Sequence, residues 1–170
     1  GGGGDDTFFY RVGDGQDTFE GGVGDDTFFM ANATTSQTIR GGADNDTIAT
    51  SGSMTDSEID GGTGDDLLQL SGTSLLGSTL SGIETTDVLT TSAVAVDANQ
   101  VANLGTIEVS AGRAVVHLYN LDGETVVFDT NLDDGENLWV YTSFSGVAGE
   151  TVTVDLSGIT IAPSVASGRL

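Results

Sequence analysis

Apolar residues return along this chain with a step of 20. Phe8, Phe28, Ile48 and Leu68 form one such series. Phe19, Ile39 and Ile59 keep the same step about half a period away. Each lies in a short run of strand-forming residues, and no stretch carries a convincing helical period; Asp97–Leu104 alone suits a short helical turn. The pattern predicts two strands and two turns per 20 residues, with each coil stacked on the one before. The two apolar series then become facing interior ladders. No single repeat can bury its apolar residue alone, so the core exists only in the stack. The predicted fold class is all-β, a parallel β-roll or β-solenoid of about 20 residues per turn.

Polar segments with the same step punctuate the strands. They read GGGGDD at Gly1–Asp6, GGVGDD at Gly21–Asp26, GGADND at Gly41–Asp46 and GGTGDD at Gly61–Asp66. A weaker copy, Val12–Glu20, sits half a turn away and puts Asp17 in the place of the final aspartate. Its later counterparts are Gln37 and Ser57, so the Gly and Asp positions decay there while the apolar ones persist.

Beyond Gln69 the Gly-Asp motif stops. Gly82 stands 20 residues after Gly62 and Val88 stands 20 after Leu68, a spacing that puts Thr86 in the place of the final aspartate. Strand signals recur at Ile107–Val109, Val115–Leu118, Val126–Phe128, Leu138–Val140 and Val152–Val154. Residues 1–69 are therefore expected to form the regular roll. Residues 70–162 are expected to continue as a solenoid or to fold as a β-sandwich-like cap, since Asp122-Gly123 between two apolar runs is a hairpin signal. Residues 163–170 read as an exposed end.

Charge narrows the possibilities. Of 170 residues, 26 are Asp or Glu and four are Arg, with no Lys, for a net charge of −22. Such a chain repels itself, so bound cations or salt must offset the charge. It lacks the clustered basic residues that nucleic acid or an anionic membrane surface requires. Disorder is disfavoured, because 37% of the residues are hydrophobic and they are patterned. No apolar run approaches a membrane span. The chain begins inside a repeat, at Gly rather than Met, and reads as part of a longer protein.

The pattern GGxGxDxUx, with U apolar, resembles the RTX (hemolysin-type) calcium-binding nonapeptide. Gly1–Phe9, Gly21–Phe29 and Gly61–Gln69 match it at every fixed position; Gly41–Ala49 departs at Asp44 and Val12–Glu20 at its first residue. The family's usual turn is 18 residues. The two extra residues here are expected in the weaker half-turn, which should be the looser edge. The resemblance implies calcium ions between successive turns. The sixth-position aspartates Asp6, Asp26, Asp46 and Asp66 would be ligands, with carbonyls of Gly1, Gly2, Gly4, Gly21, Gly22, Gly24, Gly41, Gly42, Gly61, Gly62 and Gly64. That gives three ions, with Asp17 as a weaker fourth candidate. Calcium takes six to eight oxygens, carbonyls included, so two stacked turns suffice for one shell. Asp44 is expected either to add a ligand or to tolerate a left-handed backbone. Asp5, Asp25, Asn45 and Asp65 are expected to face solvent.

Signals for catalysis are weak. His117 is the sole His and reads as a strand-surface residue; no Ser or Cys is fixed near it for a triad. Asp133, Asp134 and Glu136 read as a solvated turn. Phe9 with Phe29, and Trp139 with Tyr141, are expected to face outward as packing or contact residues. Thr7, Thr27 and Thr47 form a row that Leu67 breaks, which argues against ice binding. The resemblance implies a non-catalytic, calcium-stabilised module of a large secreted or cell-surface bacterial protein, S-layer or adhesin-like, exported by type I secretion. Its expected partners are calcium and either further copies or a cell-surface polysaccharide, with no membrane insertion. The alternative is an accessory module of a secreted protease, lipase or alginate epimerase.

Overall fold

The computed structural model describes residues 1–10, 12, 15–34, 36–89, 92–110, 112–120, 125–132, 136–142, 153–155 and 159–161. It is a parallel β-solenoid of about six turns, with roughly 20 residues per turn and almost no helix. One sheet stacks Gly2–Gly3, Thr18–Val23, Thr38–Ala43, Glu58–Thr63 and Thr79–Ser81. The opposite sheet starts with Thr7–Phe9, Thr27–Ala33, Thr47–Ser53 and Leu67–Ser74. It then divides. One arm runs through Thr85–Val88, Thr106–Glu108, Thr130–Leu132 and Ile159–Ile161; the other runs through Ala93–Asp97, Ala114–Tyr119 and Leu138–Thr142. Thr125–Val127 pairs with Thr153–Asp155. Every pairing among the described residues is parallel.

Both apolar ladders form. Phe8, Phe28, Ile48 and Leu68 lie in direct register, as do Phe19, Ile39, Ile59 and Leu80. Phe28, Ile39, Ile59 and Leu68 are fully buried. The Phe8 and Phe28 rings stack at 4.7 Å. Burying a side chain of this size stabilises the fold by about 1.5–3 kcal/mol. Phe9 stacks on Phe29 at 5.1 Å on the outer face, as alternation required.

The regular step ends at Leu80. Ile59 pairs with Leu80, an offset of 21, but Leu67 pairs with Thr85, an offset of 18. The six residues Gly61–Asp66 between these pairings are thus matched by only three, 82–84, in the next coil. Val88 consequently lies beside Leu70, not Leu68, and Thr86 takes the ladder position beside Leu68. This corrects the expectation that Thr86 replaces the turn aspartate. Thr86 is buried instead, and its hydroxyl donates to the Leu104 carbonyl at 2.6 Å.

Further on the coils lengthen. The offset is 21 at Thr85↔Thr106, 23 at Ile107↔Thr130 and 29 at Thr130↔Ile159. Ala114–Tyr119 and Thr125–Val127, which flank Asp122-Gly123, take different parallel neighbours and do not form a hairpin with each other. The expected helical turn is a 3-10 helix, Ala98–Asn103, whose start is held by the Asp97 N–H donating to Gln100 Oε1 at 2.7 Å. Asp122-Gly123, Asp133, Asp134, Val152 and residues 163–170 lie outside the described residues. No helix among the described residues is long and apolar enough to cross a membrane.

Candidate metal centre on the acidic edge

The step-20 register stacks the four Gly-Asp segments into one edge of the solenoid. The turns require left-handed backbone at two positions. Gly22, Gly42 and Gly62 have φ of 122°, 127° and 111°; Gly4, Gly24, Asp44 and Gly64 have 95°, 122°, 79° and 146°. Only Gly adopts such values without strain, and Asp tolerates the left-handed region better than most residues. Space is also lacking. A Cβ on Gly42 would strike the Gly22 carbonyl, and one on Gly62 the Gly42 carbonyl. Each turn therefore seats directly on the last.

Asp26, Asp46 and Asp66 are each 1% exposed; Asp6, in the end coil, is half-buried. Their Oδ1 atoms build a ladder. Asp6 N–H donates to Asp26 Oδ1 at 2.7 Å, Asp26 N–H to Asp46 Oδ1 at 2.8 Å, and Asp46 N–H to Asp66 Oδ1 at 2.8 Å. The Oδ2 atoms of Asp26, Asp46 and Asp66 are buried with no hydrogen-bond partner. Each points at the first glycine of its own turn. A Cβ on Gly21 would strike both Asp26 Oδ2 and the Gly41 carbonyl. One on Gly41 would strike Asp46 Oδ2 and the Gly61 carbonyl. Gly1 sits likewise between Asp6 Oδ2 and the Gly21 carbonyl. A carboxylate oxygen and a carbonyl oxygen from successive coils thus converge beside each first glycine.

Such an edge is electrostatically uncomfortable. Burial first, and then the neighbouring Asp66, Asp26 and Asp25 charges, push the Asp46 carboxyl up to about 6, against the pull of the Asp26 N–H. Burial, with Glu84, Asp60 and Asp65 nearby, raises Asp66 as well. A buried carboxylate oxygen without a donor or counter-charge is costly. The donor set fits a hard cation, which takes carboxylate and carbonyl oxygens. Among the described residues no three carboxylate or imidazole side chains converge. A cation here would therefore draw on aspartate oxygens supplemented by peptide carbonyls.

The fifth-position side chains are exposed as expected, but they also build a second ladder that sequence reasoning missed. Asp25 N–H donates to Asp5 Oδ1 at 3.0 Å, Asn45 N–H to Asp25 Oδ1 at 2.9 Å, and Asp65 N–H to Asn45 Oδ1 at 2.9 Å. It runs opposite to the first, each side chain capping the coil after it. Asp44 takes the left-handed backbone, and its Oδ2 accepts from the Gly24 N–H at 3.2 Å.

The edge across the solenoid has the same ladder with neutral acceptors. Asp17 N–H donates to Gln37 Oε1, Gln37 N–H to Ser57 Oγ and Ser57 N–H to Ser78 Oγ, at 2.9–3.0 Å. Gln37 Nε2 donates to the Gly15 carbonyl at 2.8 Å, which places a donor where a cation at Asp17 would need an acceptor. An open polar groove of about 500 Å³ runs along this edge, lined by Gln16, Asp17, Ser36, Gln37, Asp56 and Ser57 among others.

His117 sits on the outer face of its strand between buried Val116 and Leu118, 5.2 Å from the Tyr141 ring. Trp139 and Tyr141 are exposed on the adjoining strand, with the Arg113 guanidinium 5.0 Å over the Trp139 ring.

No known protein family, no curated protein and no solved structure matches this chain. What fold and edge define is a parallel β-solenoid carrying a row of buried carboxylates, each with one oxygen capped by a backbone N–H and the other without a partner.

Proposed function

We propose that the chain is a calcium-binding structural module whose first four coils are stabilised by ions along the acidic edge. The observation that carries this reading is the row of orphaned oxygens, Asp26, Asp46 and Asp66 Oδ2, each meeting a carbonyl of the next coil. The nonapeptide resemblance supports calcium as the cation, and the oxygen-only donor set favours it over zinc, which prefers nitrogen and sulfur. Three ions lie between Asp6 and Asp26, Asp26 and Asp46, and Asp46 and Asp66. Each adds roughly 2.7 kcal/mol when calcium is 100-fold above its Kd, so three decide whether the stack holds. The RTX resemblance also supports a place in a large secreted or cell-surface bacterial protein of S-layer or adhesin type. There the module folds on meeting external calcium after type I secretion. We assign it no catalytic role.

The test is far-UV circular dichroism of chelator-stripped protein during titration with CaCl2 or MgCl2. A cooperative gain of β-signal with calcium alone, weakened in Asp26→Ala, supports the reading. No response to either ion refutes it.

A further inference from the structure

The row of aspartates does not stop at Asp66. The strand register places Thr85 beside Leu67, so the residue before it, Glu84, stands in the position of the sixth-position aspartate. The hydrogen bond confirms the equivalence. Asp66 N–H donates to Glu84 Oε2 at 2.8 Å, as each earlier aspartate N–H donates to the next aspartate's Oδ1. Glu84 N–H in turn reaches the Asp66 carbonyl at 3.2 Å. The cradle repeats as well. A Cβ on Gly61 would strike the Gly82 carbonyl and Asp66 Oδ2, and that Oδ2 is buried with no partner. Glu is one methylene longer than Asp, which suits a turn three residues shorter.

We propose that Glu84 closes the row, holding a further calcium ion between Gly61–Asp66 and the shortened turn, with Asp66 Oδ2, the Gly82 carbonyl and the Glu84 carboxylate as protein ligands. This rests on the calcium reading above. The site differs from the others in one respect. Three residues, 82–84, stand where the earlier coil has six, so the short turn offers fewer carbonyls, while Glu84 is exposed. Water completes more of the shell, and this site fills last. The ion ties the last regular coil to the first coil of altered offset, so calcium order extends into Thr85–Val88.

Native mass spectrometry of the full chain equilibrated with CaCl2 tests the proposal, comparing wild type with Glu84→Gln. The amide keeps an acceptor for Asp66 N–H but loses the charge, so the coil is retained. Wild type is expected to hold four ions and the variant three, with faster amide exchange at Thr86 and Val88 in the variant. Asp46→Ala, which damages two other sites, is expected to leave the Glu84 ion in place. Equal, non-zero counts in wild type and Glu84→Gln would overturn this inference alone. No calcium on either protein would overturn the reading of the whole edge, and this inference with it.

Discussion

Replacing Asp46 by Asn should change stability in opposite directions with and without calcium. Asp46 is 1% exposed, one oxygen caps the Asp26 N–H and the other has no partner. Its carboxyl is raised from 3.8 to about 6, so at neutral pH its ionised form costs the metal-free fold on the order of 3 kcal/mol. Asn keeps the cap and removes the charge, but it buries an amide NH2 beside the Gly61 carbonyl with imperfect geometry, which takes back roughly 1 kcal/mol. In chelator the variant should therefore be more stable than wild type by about 1–2 kcal/mol. In calcium it loses a ligand shared by two sites, about 5 kcal/mol at 100-fold excess over Kd, so that net of the metal-free gain it should be less stable by up to about 4 kcal/mol. Urea unfolding followed by circular dichroism reads both signs, with sucrose present to keep the metal-free roll folded. A variant that is destabilised in both conditions, or stabilised in both, would refute the reasoning.

Other outcomes follow from the same geometry. Asp46 and Asp66 bind protons more tightly in the folded than in the unfolded chain. Metal-free stability should therefore rise as pH falls from 7 through 6 towards 4, while calcium affinity falls over the same range; urea midpoints and calcium titrations at stepped pH check both. Gly41→Ala drives a methyl into Asp46 Oδ2 and the Gly61 carbonyl, whereas Gly3→Ala meets nothing within 4 Å. The first should cost about 1–3 kcal/mol and lower calcium affinity, and the second should do neither. Phe28→Ala empties a fully buried ladder position stacked on Phe8 and should cost about 3–5 kcal/mol in thermal or urea unfolding.

The repeat was readable because the first coils keep one step, so Phe8, Phe28, Ile48 and Leu68 announce their own alignment. The aspartates that line the edge were readable for the same reason. Glu84 was not, because an added residue before Gly82 and three missing residues after it hide the equivalence. A constant step of 20 leads to Thr86, whereas backbone pairing leads to Glu84. The fifth-position ladder was also hidden, since an exposed Asp or Asn looks the same in sequence whether or not it caps a neighbouring N–H. Past Val88 the offsets vary from 21 to 29, so no fixed step exists to find, although the strands themselves were visible as apolar alternation. The described strands either side of Asp122-Gly123, Ala114–Tyr119 and Thr125–Val127, each pair in parallel with a different coil.

The most direct measurement is a crystal structure of the chain grown in CaCl2, with anomalous scattering collected at long wavelength. Peaks spaced along one edge, each beside Oδ2 of Asp6, Asp26 or Asp46 and a carbonyl of the following coil, are expected. An edge without peaks, with the aspartates protonated or paired to other groups, would contradict calcium binding there.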